Sequence, residues 1–174
     1  RQIGVFQYSG AFAKSGIEVA PLTMPLRDAP YEFPNLNQQT FKGLPGLLAD
    51  SLPDKFGNAL IDAWLARENR TAASFNPVDR LCYTGSRGMG ALEFQPSRGY
   101  VANTSRTVQI EALVELANQA LDTRRTLNGR FDGIDDQSAI EDILRVGTSA
   151  GGARAKAILA WNEKTGEFRS GQIP

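Results

Sequence analysis

The sequence predicts an α+β fold, and three observations predict it. The first third of the chain has strand-forming residues interrupted by prolines, and the residues that follow place apolar side chains at helical spacing. Near the other end, a glycine-rich segment precedes two strand-like runs joined by a turn. With 174 residues, the chain is long enough to bury at least one core.

The first third predicts an antiparallel pair of strands. The runs "GVFQYS" (4–9) and "GIEVAPLTMPL" (16–26) carry residues typical of strands, and turn residues lie between them. Because proline has no backbone N–H, the prolines between positions 21 and 34 favour sheet edges and irregular loops over a central strand.

Two helices are predicted in the next fifty residues. The first begins near Pro53 and Asp54, with apolar residues on one face: Phe56, Leu60, Trp64 and Leu65. The second is "NPVDRLCYT", with Asn76 as the N-cap, Pro77 at the first helical position and Cys82 as a small buried group. A glycine turn (85–90) and a strand over "ALEFQP" (91–96) follow in this prediction.

The second half predicts two more helices and a hairpin. "TVQIEALVELANQALDTRR" (107–125) has a continuous apolar stripe, and "IDDQSAIEDILRVG" indicates a shorter helix that ends near Gly147. The strand "KAILAW", the turn "NEKTGE" and the strand "FRSGQ" then form the hairpin. As an aromatic residue in a strand, Trp161 is expected in the core, like Phe56 and Trp64.

The composition excludes several classes of function. Lys plus Arg and Asp plus Glu both total 19, so the chain as a whole lacks the positive charge typical of a nucleic-acid binder. It contains no histidine and one cysteine, which argues against a zinc site or a Ser-His-Asp triad. No run of residues is apolar and long enough to span a membrane, and the single cysteine fits a reducing compartment. We therefore expect a cytoplasmic protein that does not insert into membranes.

The segment "GTSAGGARAKAILAW" suggests an anion site. Small residues let backbone N–H groups converge on a negatively charged oxygen, and Arg154 and Lys156 would add positive charge beside them. The sequence of this segment matches neither a Walker A motif nor GxGxxG, and its glycines precede the predicted hairpin instead of opening a helix. On composition alone, a turn that binds nothing is slightly favoured over a nucleotide site.

Four segments, in order, resemble the HipA-family serine/threonine kinases, the toxins of type II toxin–antitoxin systems. They are "FQYSGAFAKSGIEVAPLTMPL", "FKGLPGLLADSLPDKFGNALI", "GSRGMGALEF" and "GTSAGGARAKAILAWNEKTGEFRSGQ". The resemblance implies an N-terminal subdomain (1–106) of a small sheet and helices. It implies that residues 107–174 begin a protein-kinase-like N-lobe with a Gly-rich loop and a β-hairpin.

The resemblance also implies a site and partners. Gly151, Gly152, Ala153, Arg154, Ala155 and Lys156 would contact the phosphates of ATP, with Mg²⁺ as a second cofactor, and Ser149 would be autophosphorylated. A HipB-like DNA-binding antitoxin is the implied partner, so DNA is reached only indirectly, and the substrate is a protein such as an aminoacyl-tRNA synthetase.

No catalytic residue or metal ligand can be assigned in the 174 residues. We therefore expect the chain to be the N-terminal portion of a longer kinase and to lack turnover alone. Two other functions stay open: a non-catalytic module that binds an antitoxin or dimerises, and a small-molecule phosphotransferase of related architecture.

Overall fold

The structure, a computed structural model, describes residues 2–88, 90–98, 114 and 159–170. The chain divides into two compact units, Arg1–Asp50 and Ser51–Pro174. Both units contain helices, and each contains a two-stranded antiparallel sheet. The predicted α+β class is therefore confirmed.

The first unit is built from short elements. In chain order they are β1 (Val5–Phe6), α1 (Gly10–Ala13), β2 (Tyr31–Glu32), α2 (Gln38–Phe41) and α3 (Gly46–Asp50). Side chains cap the first two helices: the Ser9 hydroxyl accepts a hydrogen bond from the Phe12 N–H, and Asn37 Oδ1 accepts from Gln39 and Thr40. Its buried core includes Met24, Tyr31, Leu44 and Leu48.

The partner of β1 differs from the prediction. Strand β1 pairs with β2, with Phe6 opposite Tyr31, and the segment 16–26 forms turns. The backbone groups of that segment bond outside any strand ladder: the Met24 N–H donates to the Ala20 carbonyl (2.7 Å), and the Leu26 N–H donates to the Glu18 carboxylate. Two prolines in the segment also lack the donor that a strand would use. The predicted strand at 16–26 is therefore wrong, while β1 is confirmed.

Tyrosine hydroxyls hold this proline-rich segment in place. Tyr8 donates to the Met24 carbonyl (2.8 Å), and Tyr31 donates to the Pro25 carbonyl. The Tyr31 ring lies between other aromatic rings and below the Arg27 guanidinium, whose Cζ is 3.6 Å from the ring centroid. Cross-strand and local aromatic packing thus replaces a longer sheet in the first unit.

The second unit begins with α4 (Lys55–Arg67), the 3₁₀-helix Ala72–Ser74 and α5 (Pro77–Thr84). Asp54 caps α4 by accepting a hydrogen bond from the Gly57 N–H (2.8 Å), as its position in the sequence predicts. The buried face of α4 carries Phe56, Leu60, Ile61 and Leu65, and Trp64 is half-buried beside it. The predicted apolar face is thus confirmed, with Trp64 at its margin.

Helix α5 has the predicted start. The Asn76 side chain accepts from the Asp79 N–H (3.0 Å), and Asp79 Oδ2 accepts in return from the Asn76 N–H (3.1 Å), with Pro77 as the first helical residue. This reciprocal capping box satisfies two backbone donors that the first turn leaves without helical partners. Cys82 is buried on this helix, as expected.

Arg80 connects α5 to α4. Its guanidinium donates to Asn58 Oδ1 (2.6 Å) and Asp62 Oδ1 (2.8 Å), both on α4. Asn58 in turn donates to the carbonyls of Pro53 and Asp54. The guanidinium fork therefore fixes α5 against the first two turns of α4.

Three further predictions on the second half have different outcomes. Residues 91–96, predicted as a strand, form no strand, and the Phe94 N–H bonds back to the Gly85 carbonyl. The helices predicted at 107–125 and up to Gly147, and the boundary at 106/107, lie outside the described residues except for Val114, which is helical. Among the described helices, none is both long and apolar enough to cross a bilayer.

Candidate functional site

A β-hairpin follows the glycine-rich segment. Strands β3 (Leu159–Trp161) and β4 (Phe168–Ser170) are antiparallel, with Leu159 opposite Ser170 and Trp161 opposite Phe168. The predicted strand, turn and strand are thus confirmed. The glycine-rich segment leads into the first strand of this hairpin, since Leu159 comes three positions after Lys156.

The turn of the hairpin is closed by its own residues. Asn162 donates from its N–H to the Glu167 carbonyl (2.9 Å) and accepts from the Gly166 N–H (2.8 Å). Its side-chain oxygen also accepts from the N–H groups of Lys164 and Thr165. Because the asparagine satisfies these turn donors locally, the hairpin closes without help from another element.

Trp161 lies on the surface of the hairpin. Its side chain is 60% exposed, and its ring stacks on Phe168 across the strands with centroids 6.4 Å apart. The prediction that Trp161 belongs to the core is therefore wrong. Successive residues of a strand face opposite sides, and a two-stranded hairpin has no second layer of its own to bury both faces.

The residues predicted to bind ATP lie outside the described part of the chain. They are Gly151, Gly152, Ala153, Arg154, Ala155 and Lys156, together with Ser149 as the predicted autophosphorylation site. Their assignment stays a prediction. The structure shows the strand that they lead into and its register.

A second cluster of polar groups lies at the C-terminal end of helix α5, directly before the segment "GSRGMGALEF" (85–94). The carbonyls of the last four residues of α5 all accept a hydrogen bond from residues beyond the helix. Leu81 accepts from the Gly85 N–H (2.9 Å), Cys82 from the Arg98 N–H (2.9 Å), Thr84 from the Arg87 N–H (3.0 Å), and Tyr83 from the Arg87 guanidinium. The end of the helix is thus capped by residues from up to fourteen positions further along the chain.

The Arg87 guanidinium lies over the Tyr83 ring, with its Cζ 4.9 Å from the centroid. Burial lowers the pKa of Arg87 and raises the pKa of Tyr83 to about 12, an effect that the nearby guanidinium opposes. Trp64 and Phe75 pack around the same ring, at 5.0 Å and 6.2 Å between centroids. Sequence reasoning missed this cluster, although an arginine between two glycines after a helix is a signal for helix capping.

Two other groups complete the electrostatics around α5. Burial raises the pKa of the Cys82 thiol, which disfavours the reactive thiolate. Arg98 pairs with Asp79 at 3.2 Å, and the Arg98 side chain is largely exposed. Within the described ranges, no group of three acidic, cysteine or histidine side chains is placed to hold a metal ion.

Comparison with known proteins assigns the family. No curated protein matches the sequence, and no solved structure matches it. A family model, described as the HipA N-terminal domain, matches residues 1–95. This match covers β1–β2 and α4–α5, and it includes three of the four segments quoted above. The chain therefore belongs to the HipA N-terminal domain family.

Proposed function

We propose that the chain is the N-terminal portion of a type II toxin that acts as an ATP-dependent protein serine/threonine kinase. The observation that carries this proposal is the β3–β4 hairpin directly after the glycine-rich segment, in a chain that belongs to the HipA N-terminal domain family. Residues Gly151 to Lys156 would contact the triphosphate, and residues 107–174 would begin the kinase N-lobe.

The order of elements argues against a P-loop. In P-loop proteins the glycines follow a strand and open a helix, so the helix N-terminus points at the phosphates. Here the strand after the glycines is the first of an antiparallel hairpin, with Ala160 opposite Arg169. The segment therefore differs from a P-loop, and protein kinases instead cover the phosphates with a Gly-rich loop.

The residues of the segment fit a triphosphate chemically. Backbone amides at Gly151 and Gly152 have no side chain to keep an oxygen away, and Arg154 and Lys156 supply two positive charges. Bound ATP would supply the phosphoryl group, and the loop would orient it and offset its negative charge. The described residues hold no cluster suited to Mg²⁺, so we assign no metal ligand among them.

The same charge argument supports regulation at Ser149. Phosphorylation would add roughly two negative charges next to the phosphate-binding residues. Repulsion between the phosphate on Ser149 and the triphosphate of ATP would then weaken ATP binding and displace the Gly-rich loop. Thr148 is an alternative acceptor within one residue.

A phosphotransfer assay tests the proposal. The longer gene product, incubated with radiolabelled ATP and Mg²⁺, should label itself or a protein substrate, and the 174-residue chain alone should not. The catalytic aspartate and the metal ligands are proposed to lie after position 174. Magnesium-dependent labelling by the 174-residue chain, or none by the longer product, would contradict the proposal.

A charge-matched pair of variants locates the nucleotide. Lys156→Ala should weaken ATP binding to the longer product by about tenfold or more, since one phosphate contact is worth roughly 1.5–3 kcal/mol. Lys164→Ala is the control, because Lys164 is exposed in the hairpin turn. Equal affinities for the two variants would place the phosphates elsewhere.

A second candidate function, a non-catalytic interaction module, is favoured by exposed apolar side chains in the first unit. Leu22 is 96% exposed, Ile17 is 59% exposed and Val5 is 57% exposed. A contiguous patch of such side chains would be typical of a surface that binds a partner. The partner proposed is a HipB-like DNA-binding antitoxin, or a second copy of the chain.

Light scattering after size-exclusion chromatography separates these possibilities. A module that dimerises should elute at twice the monomer mass, and one that binds antitoxin should shift only when the antitoxin is added. Leu22→Ser should abolish either shift, because among the described residues it removes the most exposed large apolar side chain without disturbing the core. A shift that survives this substitution would exclude the Leu22 surface.

A further inference from the structure

We draw no further inference here: the strongest candidate, the exposed face of the β3–β4 hairpin on which Trp161 stacks against Phe168, is an unpartnered apolar surface, and nothing in the described residues shows what covers it.

Discussion

Arg87 lies over the ring of Tyr83 and donates a hydrogen bond from its guanidinium to the carbonyl of the same residue. One side chain therefore covers the aromatic face of a buried tyrosine and caps the last turn of α5. The backbone N–H of Arg87 also donates a hydrogen bond to the Thr84 carbonyl (3.0 Å). These contacts hold residues 85–88 against the helix that precedes them.

Replacing Arg87 with methionine should destabilise the protein by roughly 2–3 kcal/mol, since a charged hydrogen bond and a desolvated cation–π contact are lost together. Arg98→Met is the matched control. Arg98 is exposed and pairs with Asp79, so its loss should cost about 1 kcal/mol or less. Urea unfolding followed by tryptophan fluorescence measures the free energy of unfolding of both variants. Equal losses of stability would refute the stabilising role assigned to the Arg87 side chain.

Gly85→Ala should also destabilise the protein. Gly85 has φ +57°, and a Cβ there would lie 2.5 Å from the Ser97 hydroxyl oxygen. With ψ −123°, this conformation lies outside the left-handed helical region and costs an alanine roughly 1–3 kcal/mol, and the contact adds to it. The double variant with Ser97→Gly should recover only the part due to the contact.

Gly16→Ala provides the control for that experiment. Gly16 has φ +73°, but a Cβ there would meet nothing within 4 Å. Its cost should therefore be the conformational part alone, roughly 1–2 kcal/mol. If Gly85→Ala costs no more than Gly16→Ala, the contact with Ser97 has no energetic weight.

Removal of the Asn76 side chain tests the capping box. Asn76→Ala should cost about 1 kcal/mol, because the Asp79 N–H loses its acceptor. Thr71 occupies the corresponding position of the 3₁₀-helix but makes no side-chain capping bond. Thr71→Ala should therefore be close to neutral in the same thermal unfolding measurement, and similar losses at both sites would show that the cap does not matter.

Stability should fall at alkaline pH because of Tyr83. Its pKa is raised from 10.0 to about 12 in the folded protein, so the unfolded chain releases the phenolic proton first. Between pH 10 and 12 the unfolded state therefore binds fewer protons, and up to roughly 2–3 kcal/mol is lost as pH rises. Below pH 10 this contribution is fully present.

Tyr83→Phe isolates that effect. The variant keeps the ring but has no proton to lose, so its free energy of unfolding should fall less steeply above pH 10 than that of the parent chain. Lysines and the other tyrosines titrate in both proteins, and their contribution cancels in the difference. If the unfolding free energies of the variant and the parent chain fall in parallel above pH 10, Tyr83 is not responsible for the loss of stability at alkaline pH.

On the function proposed above, Ser149→Asp should weaken ATP binding to a longer gene product, because the added carboxylate mimics part of the charge of a phosphoserine. The expected loss is at least severalfold and should shrink as salt is raised. Thr23→Asp adds the same charge at an exposed residue of the first unit and should leave binding unchanged. Isothermal titration with ATP and Mg²⁺ compares them, and equal affinities would contradict the role of Ser149.

Local signals in the sequence were reliable guides to helix starts and to the hairpin. Asp54 and Asn76 cap their helices because a side-chain oxygen needs only a backbone N–H two or three residues away. Asn162 closes the hairpin turn for the same reason. These interactions lie within a few residues, so neighbouring sequence suffices to predict them.

Long-range partners were not predictable in the same way. Strand β1 pairs with Tyr31–Glu32 instead of the nearer segment 16–26, which carries equally strand-like residues. In the folded protein Tyr8 and Tyr31 hold the intervening loop by hydrogen bonds to the Met24 and Pro25 carbonyls, and neither bond has a recognisable pattern in the sequence. Hydrophobic periodicity identifies which face of a helix or strand is buried, but it does not predict which other element packs against that face.

The sequence by itself determined the helix caps, the apolar face of α4, the hairpin and the family resemblance, because each depends on residues close together in the chain. Tertiary structure alone decided that β2 pairs with β1 and that Trp161 is exposed. Such contacts are selected by the total free energy of packing in three dimensions. A residue's own neighbours along the chain do not contain that information.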